Sequence, residues 1–246
     1  MQAARLVLLG LAIVTLLAAC WLTGCGGGKQ DVPAASIPAD NKLAIGGDAA
    51  PPTTSITPIS AGAKRPAPPQ PVDPIVLIHT TAGDIQLQLF REKAPRTVDN
   101  FLNGYAQRGF YDGTIFHHVE PGSMVIAGGY TPDLTPKETR AAIYNESRNG
   151  LSNTRGMVAM IRDPSNTHSA TSQFFINLAD NAAFDFNSDT SDEDRFDADW
   201  GYCVFGQVTA GMEVVDKIAS SQVASHGDFV RVPTEVVLIE SVERLR

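Results

Sequence analysis

The chain has 246 residues, 43% hydrophobic and 19% charged, which excludes a wholly disordered polypeptide and supplies enough apolar material for one large domain or two small ones. Lys and Arg number 19 against 27 Asp and Glu, a formal charge of -8 that no basic cluster interrupts. Nucleic acid is therefore not expected as a partner.

In chain order, the first feature is an apolar run over residues 6–21 behind Arg5, short for a membrane span and laid out like an export signal. Two segments, Leu17-Ala18-Ala19-Cys20 and Leu22-Thr23-Gly24-Cys25, resemble the lipobox of bacterial lipoproteins, in which small residues admit the peptidase and the thiol takes a diacylglycerol. Cys25 is the preferred acceptor, because Trp21 and Leu22 prolong the apolar run and Gly26-Gly27-Gly28 starts a linker directly after it. Residues 1–24 are expected as the signal peptide, and the folded part as exported and lipid-anchored to the cell envelope, in the periplasm. Gly26, where an aspartate is absent, resembles lipoproteins released to the outer membrane. Residues 25–73 carry Ala50-Pro51-Pro52-Thr53-Thr54 and Pro66-Ala67-Pro68-Pro69 with no apolar period, the composition of a disordered tether. As a random coil it would set the domain roughly 40 Å from the membrane. The remaining cysteine, Cys203, lies in Tyr202-Cys203-Val204-Phe205 and is expected as an inert core thiol.

Character changes at Pro74. Ile75-Val76-Leu77-Ile78-His79-Thr80 is a β-branched run, Ala82-Gly83-Asp84 signals a turn, and Ile85-Gln86-Leu87-Gln88-Leu89 alternates with period two, so a hairpin is expected. Pro95 opens a segment whose Val98, Phe101, Leu102 and Tyr105 fall on one face of an amphipathic helix. Short strands are expected over 114–119, 124–127, 156–161, 174–178 and 202–208. A second helix follows Gly211, with Met212, Val215, Ile218 and Ala219 on its apolar face, and a strand over 235–242 closes the chain. The pattern predicts a mainly β domain over 74–246, a closed barrel capped by two helices, and does not suit alternating βαβ units.

Within this domain, Phe116-His117-His118-Val119-Glu120-Pro121-Gly122-Ser123-Met124, ending in Gly128-Gly129, resembles a stretch of the cyclophilin family. Asn153-Thr154-Arg155-Gly156, Ser169-Ala170-Thr171-Ser172-Gln173-Phe174-Phe175-Ile176-Asn177 and Tyr202-Cys203-Val204-Phe205-Gly206-Gln207-Val208 are similar to periplasmic-type bacterial cyclophilins, from Ile75 to the C-terminus. The resemblance implies an eight-stranded barrel and peptidyl-prolyl cis–trans isomerisation, with no metal, nucleotide or other cofactor. The five histidines are scattered without metal-ligand spacing. The partners it implies are proline-containing segments of unfolded or exported proteins, met by a monomer. A second reading, from a different class, is a non-catalytic proline-binding module or chaperone on the envelope.

Isomerisation must overcome about 18–20 kcal/mol of lost amide resonance. Twisting the bond leaves a lone pair on the prolyl nitrogen, so a donor aimed at that atom binds the twisted amide better than either planar isomer. The family's donor is an arginine; here the position holds His118, whose imidazole offers fewer hydrogens and no permanent charge. Strand alternation predicts that His117 and His118 face opposite ways. Reduced turnover is therefore expected. By motif position Met124, Phe175 and Phe184 resemble the proline-pocket apolars, Gln173 a backbone-contacting polar group and Tyr202 the pocket rim. Ser123 stands where a pocket phenylalanine is usual. One residue is extra between Met124 and Gly129, which a bulge would absorb. Ile161 and Arg162 are expected to alter the neighbouring subsite, and Ala183 to weaken cyclosporin contact. The acidic stretch 189–199, with Asp192-Glu193-Asp194 and Asp197 against the sole base Arg195, is expected as a solvated loop near the pocket mouth, just ahead of Tyr202.

Overall fold

The computed structural model describes residues 73–246; the expected signal peptide, Cys25 and all but the last residue of the expected tether lie outside the described residues. Strands β1 (Ile75–Thr80) and β2 (Gly83–Leu89) form the expected hairpin, paired from Ile75 with Gln88 to Thr80 with Gly83. Their alternation is the burial pattern: Val76, Ile78, Ile85, Leu87 and Leu89 are fully buried.

Helix α1 (Pro95–Asp99) begins at a proline, whose missing N–H is no loss in a first turn. No side chain of its own N-cap residue serves it. The backbone N–H groups of Arg96 and Thr97 instead donate to the Glu146 carboxylate, at 3.2 and 2.8 Å. The helix widens into a π turn over Asn100–Tyr105, where the Ala106 N–H reaches the carbonyls of both Phe101 and Leu102, and a 3-10 turn (Ala106–Arg108) ends it at Gly109. Val98, Phe101, Leu102 and Tyr105 are all buried, as their spacing requires.

The rest of the domain is β3 (Thr114–Glu120), β4 (Met124–Ala127), β5 (Met157–Met160), β6 (Phe174–Asn177), β7 (Val204–Ala210), helix α2 (Met212–Ala219), β8 (Val223–His226), β9 (Phe229–Pro233) and β10 (Leu238–Arg244). Eight of the strands close an antiparallel barrel in the order β1-β10-β3-β4-β6-β5-β7-β2, which leaves it without free edges. Two strands start at least two residues later than expected. Tyr202 and Cys203 precede β7, because the Tyr202 N–H donates to the Phe184 carbonyl at 2.8 Å and is drawn into a loop. The last strand starts at Leu238, three residues late, after an exposed stretch leaving β9. The β8–β9 hairpin, outside the barrel, is a finding of the structure alone.

An aromatic cluster fills the barrel. Phe101 on the helix meets Tyr111, Phe174 and Phe205 at ring-centroid distances of 5.1, 5.6 and 5.3 Å. Cys203 is buried as expected, and burial pushes its thiol up to about 12. Because Phe101 joins helix to barrel at 0% exposure, Phe101→Ala is expected to destabilise the domain by ~3–5 kcal/mol in urea denaturation. Phe196→Ala, at a ring 77% exposed, should shift stability by less than ~0.5 kcal/mol in the same measurement.

Candidate active site

Strand β6 is buried along its whole length and divides two apolar regions. Phe174 points into the barrel core, while Phe175 joins a separate cluster with Ala159 and Val204, against which Met124, Ile126, Ile161, Phe184 and Tyr202 pack. The adjacent rings thus separate as alternation predicts. Directly paired residues on neighbouring strands share a face, so the ladder pairs His118–Ile126, Ile126–Phe175, Phe175–Ala159 and Ala159–Val204 set one row across the outer wall.

At the centre of that wall three rings meet edge to face. Phe175 lies 5.8 Å from Phe184 and 5.6 Å from Tyr202, and Phe184 lies 5.4 Å from Tyr202. Met124 and Ile161 add flexible and branched apolar surface beside them. This cup has the apolar character that suits a small saturated ring. Its two loops are tied by Asn153, which is 1% exposed: its amide donates to the Phe184 carbonyl at 2.9 Å and its backbone N–H to Asp185. Arg162 supports the rim. Its guanidinium carbon lies 5.0 Å from the centre of the Tyr202 ring, and it donates to the carbonyls of Gly201 and Asp197 at 2.7 Å each. Being buried in these bonds, Arg162 braces Tyr202 and does not line the neighbouring subsite.

Ser123 lies in the β3–β4 turn, where its carbonyl accepts from the Leu178 N–H at 2.7 Å and the Asn181 amide at 3.0 Å. It anchors this corner and fills little of the cup. Gln173 lies under Gly129, where a Cβ would come within 2.6 Å of its Cγ. The acidic loop is braced from within by Arg195, whose guanidinium stands 4.3 Å from the Phe186 ring centre and salt-bridges Asp192.

The histidine pair departs from simple alternation. The ladder slips by one between Phe116 and His118, so the bulge falls on β3, while β4 pairs with β6 without a break. Ile126 consequently faces the site and Ala127 the core. His117, the extra residue of the bulge, packs edge to face on Tyr130, 4.7 Å between ring centres. His118 is on the site row, but its Nδ1 is 3.0 Å from the Val230 carbonyl of β9, and its Nε2 is 3.7 Å from Glu120. Burial lowers its pKa, opposed by those two oxygens, so the ring is neutral at pH 7. Residues that sequence reasoning passed over are therefore Asn153, Glu120 and the whole of β9. Asn153 stood within a matched motif, whereas β9 carries no strong alternation.

The model of the family described as "Cyclophilin type peptidyl-prolyl cis-trans isomerase/CLD" matches residues 75–244. The chain belongs to this family and is a peptidyl-prolyl cis–trans isomerase. It is 47% identical over 168 residues to peptidyl-prolyl cis-trans isomerase B of Escherichia coli (strain K12), covering 68% of this chain and 98% of that protein. It is 46% identical over 171 residues to peptidyl-prolyl cis-trans isomerase A of Dickeya dadantii (strain 3937), covering 70% of this chain and 84% of the relative. A crystal structure of a Cryptosporidium parvum cyclophilin-type isomerase aligns with a TM-score of 0.58 at 21% identity, over 71% of this chain and 98% of that one, a likeness of fold. The cyclophilin barrel expected from the motifs is the observed one.

Buried His117 gives the cyclophilin domain an acid sensitivity. Desolvation, and then the neighbouring His118, lower its pKa from 6.5 to about 4, so the folded ring stays neutral where an unfolded one takes a proton. The stabilisation is complete above pH 6.5 and is lost as pH falls toward 4, by roughly 3 kcal/mol at full effect. Urea midpoints measured from pH 7 to 4 should fall accordingly, and His117→Gln should flatten the dependence.

Proposed function

We propose that this isomerase acts on proline-containing segments of exported proteins, holding the proline ring in the cup of Phe175, Phe184, Tyr202, Met124 and Ile161. The observation that carries the reading is the mutual edge-to-face contact of the three rings on the outer wall, which makes an apolar seat open to a passing chain. Gln173 borders that seat and offers amide hydrogens to a peptide backbone, while Ser123 sets the corner from which β4 starts. Turnover is proposed to be low for position 118, because an imidazole has one N–H when neutral and this one is engaged by Val230. The bracing of the acidic loop beside the rim favours neutral or basic clients over acidic ones.

The same reading places the enzyme on the envelope through a lipid on Cys25, with residues 25–73 as tether and the outer membrane as its site. The support is the export-type leader and the small residues before Cys25. In the host, Cys25→Ser is expected to move the protein from the membrane fraction to the soluble fraction, whereas Cys20→Ser should leave it bound.

Exchange NMR on a short Ala-Pro peptide with the detergent-solubilised full chain tests the catalytic reading. Cis and trans resonances should exchange in the presence of the protein, and Phe175→Ala should reduce the exchange by tenfold or more. Saturable peptide binding with no exchange would instead identify a proline-binding module.

A further inference from the structure

The apolar cup seats a ring, and the reaction also needs an N–H at the amide nitrogen once conjugation is broken. At the head of the site row His118 is already engaged, its Nδ1 held by the Val230 carbonyl. One cation stands beside it. Arg231, on β9, places its Nε 3.4 Å from Glu120 Oε2, the same oxygen that lies 3.7 Å from His118 Nε2. Glu120 pairs with Met124 across the β3–β4 ladder, and Met124 packs in the cup cluster. Glu120 and Met124 thus share a face of the ladder, and the guanidinium stands at Glu120.

Three features set this arginine apart from an ordinary surface cation. Its Nη groups have no hydrogen-bond partner among the described residues, and its side chain is 43% exposed, so four of its five hydrogens are available to a bound chain. Its backbone is left-handed, φ 59, in a residue that is not glycine. Such a conformation is strained and persists where the surroundings over-determine it. Here they do: the preceding carbonyl is bound by His118, the following Val232 and Pro233 are buried, and Phe229 packs 4.8 Å from Tyr130.

We propose that Arg231 is the catalytic donor, its guanidinium reaching the prolyl amide from the β8–β9 hairpin, and that His118 is a positioning residue holding the hairpin against β3. The inference rests on the prolyl-isomerase reading of the cup. As the peptide bond twists, the nitrogen pyramidalises and its lone pair accepts a hydrogen bond from an Arg231 Nη. The proton stays on the guanidinium, and no covalent bond is made or broken. Glu120, bonded to the opposite side of the fork, fixes the plane of the group and offsets the desolvation of its charge when a substrate covers it.

The test uses Arg231→Gly, which removes the guanidinium and relieves the left-handed backbone at once, beside Arg231→Lys. In Ala-Pro exchange NMR, Arg231→Gly is expected to lower the exchange rate about a hundredfold with little change in peptide affinity. Arg231→Lys should lower it less, because it keeps charge without the planar fork. Guanidinium chloride at tens of millimolar, well below denaturing levels, should restore part of the rate to Arg231→Gly, which a purely structural role would not permit. Exchange within threefold of the parent in Arg231→Gly overturns the proposal while leaving the isomerase reading intact. Absence of exchange in the parent chain itself would overturn both.

Discussion

Strand β6 is buried on both faces, and everything in the domain follows from that double demand. One face must complete the barrel core through Phe174, and the other must support the pocket through Phe175. A surface strand can change its outer residues freely. This one cannot, because the ring that faces outward is packed by Phe184 and Tyr202 from two loops. Core packing and the apolar cup are thus two sides of one four-residue strand.

The seat alone does not explain catalysis. Apolar walls bind a planar and a twisted prolyl amide almost equally, and uniform binding accelerates nothing. What discriminates the twisted state is a donor placed where the nitrogen lone pair emerges, in surroundings dry enough for that hydrogen bond to be strong. On the outer wall Glu120, His118 and Arg231 gather at one end of the row, and Arg231 is the donor proposed for this need. The cluster mixes one neutral ring, one anion and one cation, so the cation is held in place without leaving an unpaired charge beside the apolar cup. Its cost is a strained backbone at residue 231, sustained by the hairpin's docking.

Support for the cup comes from polar side chains. Asn153 joins the two loops that carry Phe184 and Tyr202, Arg162 props the Tyr202 ring, and Asn181 holds the Ser123 corner. Glu146 plays the same part for helix α1, whose own residues provide no cap. In each case a buried or half-buried polar group satisfies backbone atoms on a different segment, which fixes loops that propensity alone would leave undetermined.

The strands and helices of the barrel were legible in the chain, because apolar periodicity is a local property: Ile85, Leu87 and Leu89 alternate, and Val98, Phe101 and Leu102 fall on one helical face, whatever they pack against. The cup residues were legible by motif, since Phe175, Phe184 and Tyr202 sit in stretches that resemble a known family. The register slip at His117 was not, because a bulge depends on how two strands settle against each other. Nor was the partner of His118, since Val230 lies 112 positions further along the chain and only the docking of β9 brings its carbonyl to the ring. By itself the sequence determined the elements of the barrel, the apolar residues of the cup and the reaction class. The tertiary structure decided which hydrogens are free to act, because a donor's availability depends on neighbours that the linear chain keeps far apart.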